Sequence, residues 1–296
     1  MRVRTGGDEG TVCEAMKVTG TSLLYRPSRP IVPPMRTARI AWLLFVTVLK
    51  RKLAYRGDLI LASLDEIMRS VVALVMLQVY VSKTPHLHGW TPYELIFILG
   101  FSMVPISLFH SFCGNLYQLS NTYIIQGNLD RVLLRPYPAF LQICFDRIAI
   151  EDLSGVLLGI GVMVTAITHL PEFDMGPTHL AFLLVLILSS FGVVVAVFMA
   201  FAATGFWFED RVGMVPPVYN LMEFGRWPTG IYHPLLKILV TCVIPFSFVA
   251  FYPAGFLVRG GDPWPALLTP VVAVCSLLLA GWLWRCGISR YHSSGS

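Results

Sequence analysis

The chain has 296 residues, of which 55% are hydrophobic and only 13% charged, with 22 Lys and Arg against 17 Asp and Glu. Soluble globular domains carry about 25% charged residues, so this composition, with a mean hydropathy of +0.68, excludes both a soluble globular domain and a disordered chain. A net charge of +5 is too small for a nucleic-acid binder, so no nucleic acid is expected as a partner, and the placement of charge says more than its sum.

The six cysteines, Cys13, Cys113, Cys144, Cys242, Cys275 and Cys286, are widely spaced, with no CxxC and no histidine at metal spacing. Neither a disulfide framework nor a structural zinc is expected, and no cofactor. The loop from His169 to His179 offers two imidazoles and, in Glu172 and Asp174, two carboxylates. It is read as a polar connection turned by Pro171, Gly176 and Pro177 rather than a metal site.

Residues 1–35 are polar and contain Gly6, Gly7, Pro27, Pro30, Pro33 and Pro34. They lack the apolar core of a signal peptide and read as a disordered N-terminal tail. Met35 opens a sequence that reads as a natural start, which makes the tail before it a candidate mis-called start. The folded domain is expected over residues 36–292. Its first part, 36–56, holds an apolar run from Ile40 to Leu49 between Arg36 and Arg39 on one side and Lys50, Arg51, Lys52 and Arg56 on the other. Ten helical residues cover about 15 Å, half a bilayer core. An amphipathic helix lying in the membrane interface is expected here, with a short first span as the alternative.

Six longer apolar stretches follow, at about 59–81, 93–112, 153–170, 179–208, 235–258 and 267–284. They are too long for strands and lack sustained alternation, so the fold class expected is an all-α membrane protein with six transmembrane helices. Lys and Arg set the orientation. With a cytoplasmic N-terminus the outer loops 82–92, 171–178 and 259–266 hold only Lys83 and Arg259. Both termini are therefore expected in the cytoplasm. The fifth stretch contains Pro245, Pro253 and Gly255. Irregular backbone inside a membrane must be covered by protein or line a cavity, so this stretch is expected to end early and carry a re-entrant helix between helices 5 and 6.

No phosphate-cradling GxxxxGK[ST] is present, nor GxSxG, HExxH or GxGxxG. The chain is expected to be no enzyme. Three polar groups of residues stand out instead. Asp65, Glu66 and Arg69 interrupt the first span; Asp65 and Arg69 have the acid-first i,i+4 spacing that favours pairing on a helix. Charge within a span is costly, so these residues either project past the membrane surface or face a cavity or a partner subunit. The stretch Gly127-Asn-Leu-Asp130-Arg131-Val-Leu-Leu-Arg135-Pro136 predicts two helical turns between an Asn128 cap and a Pro136 stop. Leu129, Val132 and Leu133 would hold this helix while Arg131 and Arg135 share another face, either as a solvated linker or as a docking helix. In Glu223-Phe-Gly225-Arg226-Trp227-Pro228-Thr-Gly230-Ile-Tyr232, Glu223 and Arg226 can pair, and Trp227 and Tyr232 suit a membrane interface.

These last two stretches carry a resemblance. Residues 127–136 resemble the "GxLDxxLLRP" pattern of one group of bacterial ABC exporter permeases. Residues 223–232 are similar to that group's "EFxRYPxxIY", with Trp227 in place of Tyr. Ile244-Pro245-Phe-Ser247-Phe-Val-Ala-Phe251-Tyr252-Pro253-Ala resembles its "IPxAFxxYYPA", with Ser247 for Ala and Phe251 for Tyr. The three occur in order, and the likeness runs from about Met35 to Tyr291. The chain thus resembles the type-2 ABC exporter permease superfamily, the membrane subunits of bacterial ABC transporters. The resemblance implies six helices, an interfacial helix before the first, a cytoplasmic coupling helix after the second and re-entrant helices before the sixth. It implies two copies of an ABC ATPase subunit as partners, a second permease chain forming a homodimer or heterodimer, and a bacterial plasma-membrane location. Asp130, Arg131, Arg135, Pro136, Glu223 and Arg226 become the candidates for ATPase coupling. The competing expectation, a secondary transporter or channel not coupled to ATP, wants ionisable groups at mid-span, for which His110, Asp65, Glu66 and Arg69 are the candidates. An intramembrane enzyme would want a convergent set of acids and histidines in the spans, and none is evident.

Overall fold

The computed structural model describes residues 46–47, 49–50, 52, 54, 56–83, 89–135, 137–170, 173, 176–208 and 215–291. The expected tail 1–35 lies outside the described residues, as do most of the expected interfacial segment 36–56, Pro136, Glu172 and Asp174.

Every regular element among the described residues is helical. Helix α1 is Arg56–Lys83 and α2 is Pro92–Cys113. Without a break α2 passes into a 3-10 segment, Gly114–Gln118, and a π-helical segment, Leu119–Ile125. Short helices α3 (Asn128–Leu133) and α4 (Ala139–Asp146) follow. Helix α5 is Leu153–Ile167, entered through a 3-10 turn at Ile150–Asp152, and α6 is Pro177–Ala203. Then come α7 (Val215–Met222), α8 (Pro234–Ile238) with a π-helical continuation Leu239–Val243, α9 (Phe251–Arg259) and α10 (Trp264–Arg290).

Four of these runs, Pro92–Ile125, Ile150–Ile167, Pro177–Phe206 and Trp264–Arg290, are long and apolar enough to cross a membrane. The pair Pro234–Val243 and Phe246–Arg259 passes that test only jointly and is bent by 70° at the intervening Ile244–Pro245. Helix α1 is 28 residues long, but Asp65, Glu66 and Arg69 fall in its first half and it is not among these runs. The break expected in the fifth stretch is thus present, at Pro245. Pro253 does not add a second one. It sits in the first turn of α9, where a missing N–H leaves no intrahelical bond unmade.

Helix α5 lies along α2, and α10 along α6, as the two most extensive helix pairs. Glycine makes the first possible. A Cβ at Gly100 would stand 2.9 Å from the Met163 nitrogen and 3.0 Å from the Gly159 oxygen. One at Gly159 would stand 2.8 Å from the Gly100 oxygen. The two backbones touch, as in the small-residue crossings of membrane helices, and Gly155 and Gly159 form a GxxxG on α5. One apolar cluster, around Phe97, Phe101, Ile98, Leu186 and Ala254, fills the bundle near the α2 N-terminus. A second, around Phe109, Phe198, Phe246, Leu116 and Leu129, fills it near the α2 C-terminus.

An ion pair closes the first of these ends. Arg259 Nε donates to Glu94 Oε1 at 2.8 Å and its Nη2 to Oε2 at 2.5 Å. Nη2 also donates to the Gly89 carbonyl. The guanidinium lies 3.6 Å above the Trp90 ring, a cation–π contact. Glu94 in turn accepts from Thr91 N at 2.6 Å, closing the first turn of α2. Trp90 meets Phe251 edge-on at 5.5 Å and covers Gly255, where a Cβ would stand 3.2 Å from the indole. Nearby, His169 stacks on Tyr93 at 4.2 Å.

Two stability predictions follow from this packing. Gly159→Ala should destabilise the purified protein by about 1–3 kcal/mol, because the nearest obstructing atom is a backbone oxygen. Gly161→Ala, with nothing within 4 Å, should stabilise it slightly, by about 0.4–1 kcal/mol. Thermal unfolding in detergent separates the two signs. Glu94→Gln and Arg259→Gln should each cost about 1.5–3 kcal/mol, the range for hydrogen bonds to charged groups. The double variant should cost clearly less than their sum, the mark of a direct pair.

Candidate functional site

Gly127 precedes α3 in a left-handed conformation, φ 71°, which a glycine adopts at no steric cost. It turns the chain sharply off the end of the long α2 run. Asn128 is not the cap expected of it. It is the first helical residue, and its Nδ2 reaches back to the Thr122 carbonyl at 2.9 Å. Leu129 is fully buried and Val132 nearly so, so the helix is held by the face expected, with Leu133 partly buried beside them. The helix is shorter than expected. It ends at Leu133, and Arg135 belongs to the terminating turn, its N–H bonded to the Val132 carbonyl at 3.3 Å. Arg131 and Arg135 are both exposed, as is Leu134, 85% accessible. Asp130 turns the other way. It lies beside Tyr291 at the end of α10, and burial together with the Asp130 charge pushes the Tyr291 hydroxyl up to about 12.

Hydrogen bonds fix this segment to the bundle. Gln142 of α4 donates through Nε2 to the carbonyls of Val132, at 3.1 Å, and Tyr137, at 2.6 Å. Asn115 donates to the Ile143 carbonyl and to the Tyr123 hydroxyl, both at 2.7 Å. Tyr123 then donates to Asp146 Oδ2 at 2.8 Å. The α2 extension, α3 and α4 are therefore one polar-bonded unit with a basic outer edge.

The second candidate segment is built differently. Arg226 Nη1 meets Glu223 Oε2 at 2.9 Å, with Arg226 only 15% accessible. The intervening Gly225 lies against the bend of the broken pair, where a Cβ would come within 2.8 Å of Phe246 Cβ. Tyr232 donates to the Phe224 carbonyl at 2.8 Å and covers its ring edge-on at 5.8 Å. Trp227 packs into the apolar cluster near the α2 N-terminus. Arg226 thus belongs to an inward-packed elbow with the half-exposed Glu223 at its edge, whereas Arg131 and Arg135 form an exposed edge.

On α1, Arg69 is held by two carboxylates, Asp65 at 3.0 Å and Glu66 at 3.1 Å. Glu66 is tucked against Gly155 of α5, where a Cβ would stand 2.8 Å from its Oε1. Lys52 Nζ meets Glu151 Oε1 at 2.6 Å, tying the segment before α1 to the turn before α5. Asp65 and Arg69, about two-thirds accessible, stand among exposed Leu61, Leu64, Met68 and Val72.

Arg69 of this triad lines a cavity of about 510 Å³ at the α2 C-terminal end. Arg69, His110, Tyr117, Asp152 and Tyr219 line it, together with Arg147. The His110 and Tyr219 rings are 5.7 Å apart, and Tyr117 reaches His110 Nε2 at 3.5 Å. Burial pushes the Tyr219 hydroxyl up from its ordinary range. A second cavity of about 400 Å³ adjoins the first through Asn115, Gln118 and Arg147. The fold so brings Arg69, carrying its partners Asp65 and Glu66, to the same cavity as His110, with Arg226 within electrostatic reach. Tyr117, Asp152 and Tyr219 had drawn no attention in the sequence. Nothing in their spacing marks them, because they come from three separated segments.

A family model described as "ABC-2 family transporter protein" matches residues 67–295. That range holds α2–α10 and all three resemblance-bearing segments. No curated protein and no solved structure gives a significant match. With most of its length matched, the chain is a membrane protein that belongs to the ABC-2 transporter family.

Proposed function

We propose that this chain is the permease subunit of an ATP-driven exporter in a bacterial plasma membrane, with ATP hydrolysed by two copies of a separate ABC ATPase subunit. A second permease chain, identical or different, completes the transporter. The chain itself contributes no catalytic residue. Six spans complete the topology, with α1 as the first, preceded by an interfacial helix and followed by both chain ends in the cytoplasm. The bent pair, Pro234–Val243 with Phe246–Arg259, then serves as a fifth span followed by a re-entrant helix.

The observation that carries this reading is the α3 edge. Arg131 and Arg135 are exposed on a segment whose apolar face is sunk in the core. Hydrogen bonds from Gln142 and Asn115 leave that segment little freedom to move alone. A push on α3 by an acidic surface of the ATPase would pass along the polar-bonded unit into α2. From α2 it would reach α5 through the glycine contact. Glu223 and Arg226, paired with each other and packed on the Pro245 bend, fit relaying motion within the bundle better than receiving the ATPase.

Two experiments test this. Cysteines placed at Arg131 and at Asp262 should be labelled from opposite sides of the membrane, residue 131 from the cytoplasm. Labelling of residue 131 from outside would overturn the orientation. Arg135→Glu should leave insertion intact, weaken co-purification of the ATPase and abolish transport. Losing one partner of a desolvated charge pair costs about 2–5 kcal/mol. A solvated linker arginine costs within about 0.5 kcal/mol. Normal transport by Arg135→Glu in a complex of normal composition would make α3 a linker. Transport that needs no ATPase would point to a secondary transporter or channel.

A further inference from the structure

The C-terminal end of α10 closes on the α3–α4 unit through aromatic rings that lie off the route from α3 to α2 and α5. Trp284, 5% accessible, meets two rings nearly at right angles. Phe140 of α4 stands 5.6 Å from it at 83°. Phe206, in the 3-10 turn Thr204–Phe206 that ends α6, stands 5.6 Å from it at 80°. Phe206 in turn meets Tyr291 at 6.4 Å and 74°. Aromatic pairs favour this edge-to-face geometry, which fixes orientation as well as distance. Two glycines seat Phe206. A Cβ at Gly287, on α10, would collide with its ring, and one at Gly205 would stand 3.1 Å from Ser120 Oγ and 3.2 Å from Ile124 Cδ1 of the α2 extension. Tyr291 lies beside Asp130 of α3. Rings from α4, from the end of α6 and from α10 thus meet at Trp284, and α3 touches the end of that chain.

We propose that Trp284 is the positioning residue through which the α3–α4 unit and the α6–α10 pair move together. Gln142 and Asn115 tie α3 and α4 to each other and to α2, so the unit shifts as a body. To shift relative to α10 it must part rings that meet at fixed angles. Close-packed interiors transmit such strain and change by discrete repacking. A displacement of α4 carries Phe140 against Trp284 and Trp284 against Phe206, which Gly287 and Gly205 hold from the other sides. The helices α6 and α10, which lie along each other, then follow. What drives the displacement rests on the reading of α3 as the ATPase docking segment; the link between the two halves is a property of the chain alone.

Contiguous packing is not yet coupling; non-additivity is its measure. Amide hydrogen exchange on the purified full chain in detergent, without nucleotide or ATPase, supplies it. Gln142→Ala removes the two hydrogen bonds that join α4 to the end of α3. It should speed exchange in residues 284–290 severalfold in the unaltered background, but by less than about twofold in Trp284→Leu, where opening of one unit no longer opens the other. Trp284→Phe keeps a ring and should restore most of the effect. Trp282→Leu, on the same helix at a residue 60% accessible, should leave it whole. Where Trp284→Leu does not fold, Phe140→Leu breaks the same link from the α4 side. Equal acceleration by Gln142→Ala with and without Trp284→Leu overturns the proposal, as does no acceleration in the unaltered chain. In a complex with the ATPase, trapping with ATP and vanadate should alter exchange in 284–290 of the unaltered chain and not of Trp284→Leu; a response that survives Trp284→Leu also overturns it. A complex whose residues 128–135 ignore nucleotide removes the docking reading, while the result on the isolated chain still decides the link.

Discussion

The contact between Gly100 and Gly159 sets the geometry on which the rest of the bundle depends. Apolar side chains gain little from each other when the surroundings are equally apolar, so close backbone approach is what can fix one membrane helix against another. Here α2 and α5 meet with a carbonyl oxygen of each helix 2.8 to 3.0 Å from where the other's Cβ would be. Everything downstream is measured from that crossing. Past it, α2 runs without interruption to Ile125, and the polar side chains of its last turns seat α3 and α4. The place of the exposed arginines relative to the bundle follows from a contact some thirty residues away.

The same crossing governs the polar groups beside it. Gly155, one GxxxG step before Gly159, leaves room for Glu66 and Ser107 against α5. Glu66 can then hold Arg69 on one side while the turn before α5 presents Glu151 and Asp152 on the other. A larger residue at 155 would push Glu66 outward and separate the α1 charges from the cavity. Glu66 has its place against α5 because Gly155 carries no side chain there.

How much of this was legible in the sequence depended on the range of each cause. The long apolar stretches were legible because a bilayer core demands continuous runs. The end of α2 was not, since Asn115, Gln118, Asn121 and Thr122 read as a loop. Their polar groups are compatible with helix because partners such as Ile143 and Asp146, far along the chain, satisfy the network they join. The apolar seat of α3 was legible from Leu129 and Val132, two positions on one face, whereas its cap was misassigned because the needed property was the positive φ of Gly127. Pro245 was legible as a break. Pro253 was not distinguishable from it by type, only by falling at a helix start. The Glu94–Arg259 pair joins residues 165 positions apart, and no local pattern announces it.

The two ends of the bundle differ in how completely their charges are answered. At the α2 N-terminus one arginine meets one carboxylate through two hydrogen bonds, an aromatic face and a carbonyl. At the other end one guanidinium is divided between two acids, and Asp152 has no ion pair among the described residues. Residual charge inside a protein is retained at a cost, and a fold that neutralised it at one end had the chemistry to do so at the other. The direction of that asymmetry matches the basic outer edge of α3. The end where Asp152 stands without an ion pair among the described residues is also the end whose surface carries the exposed Arg131 and Arg135.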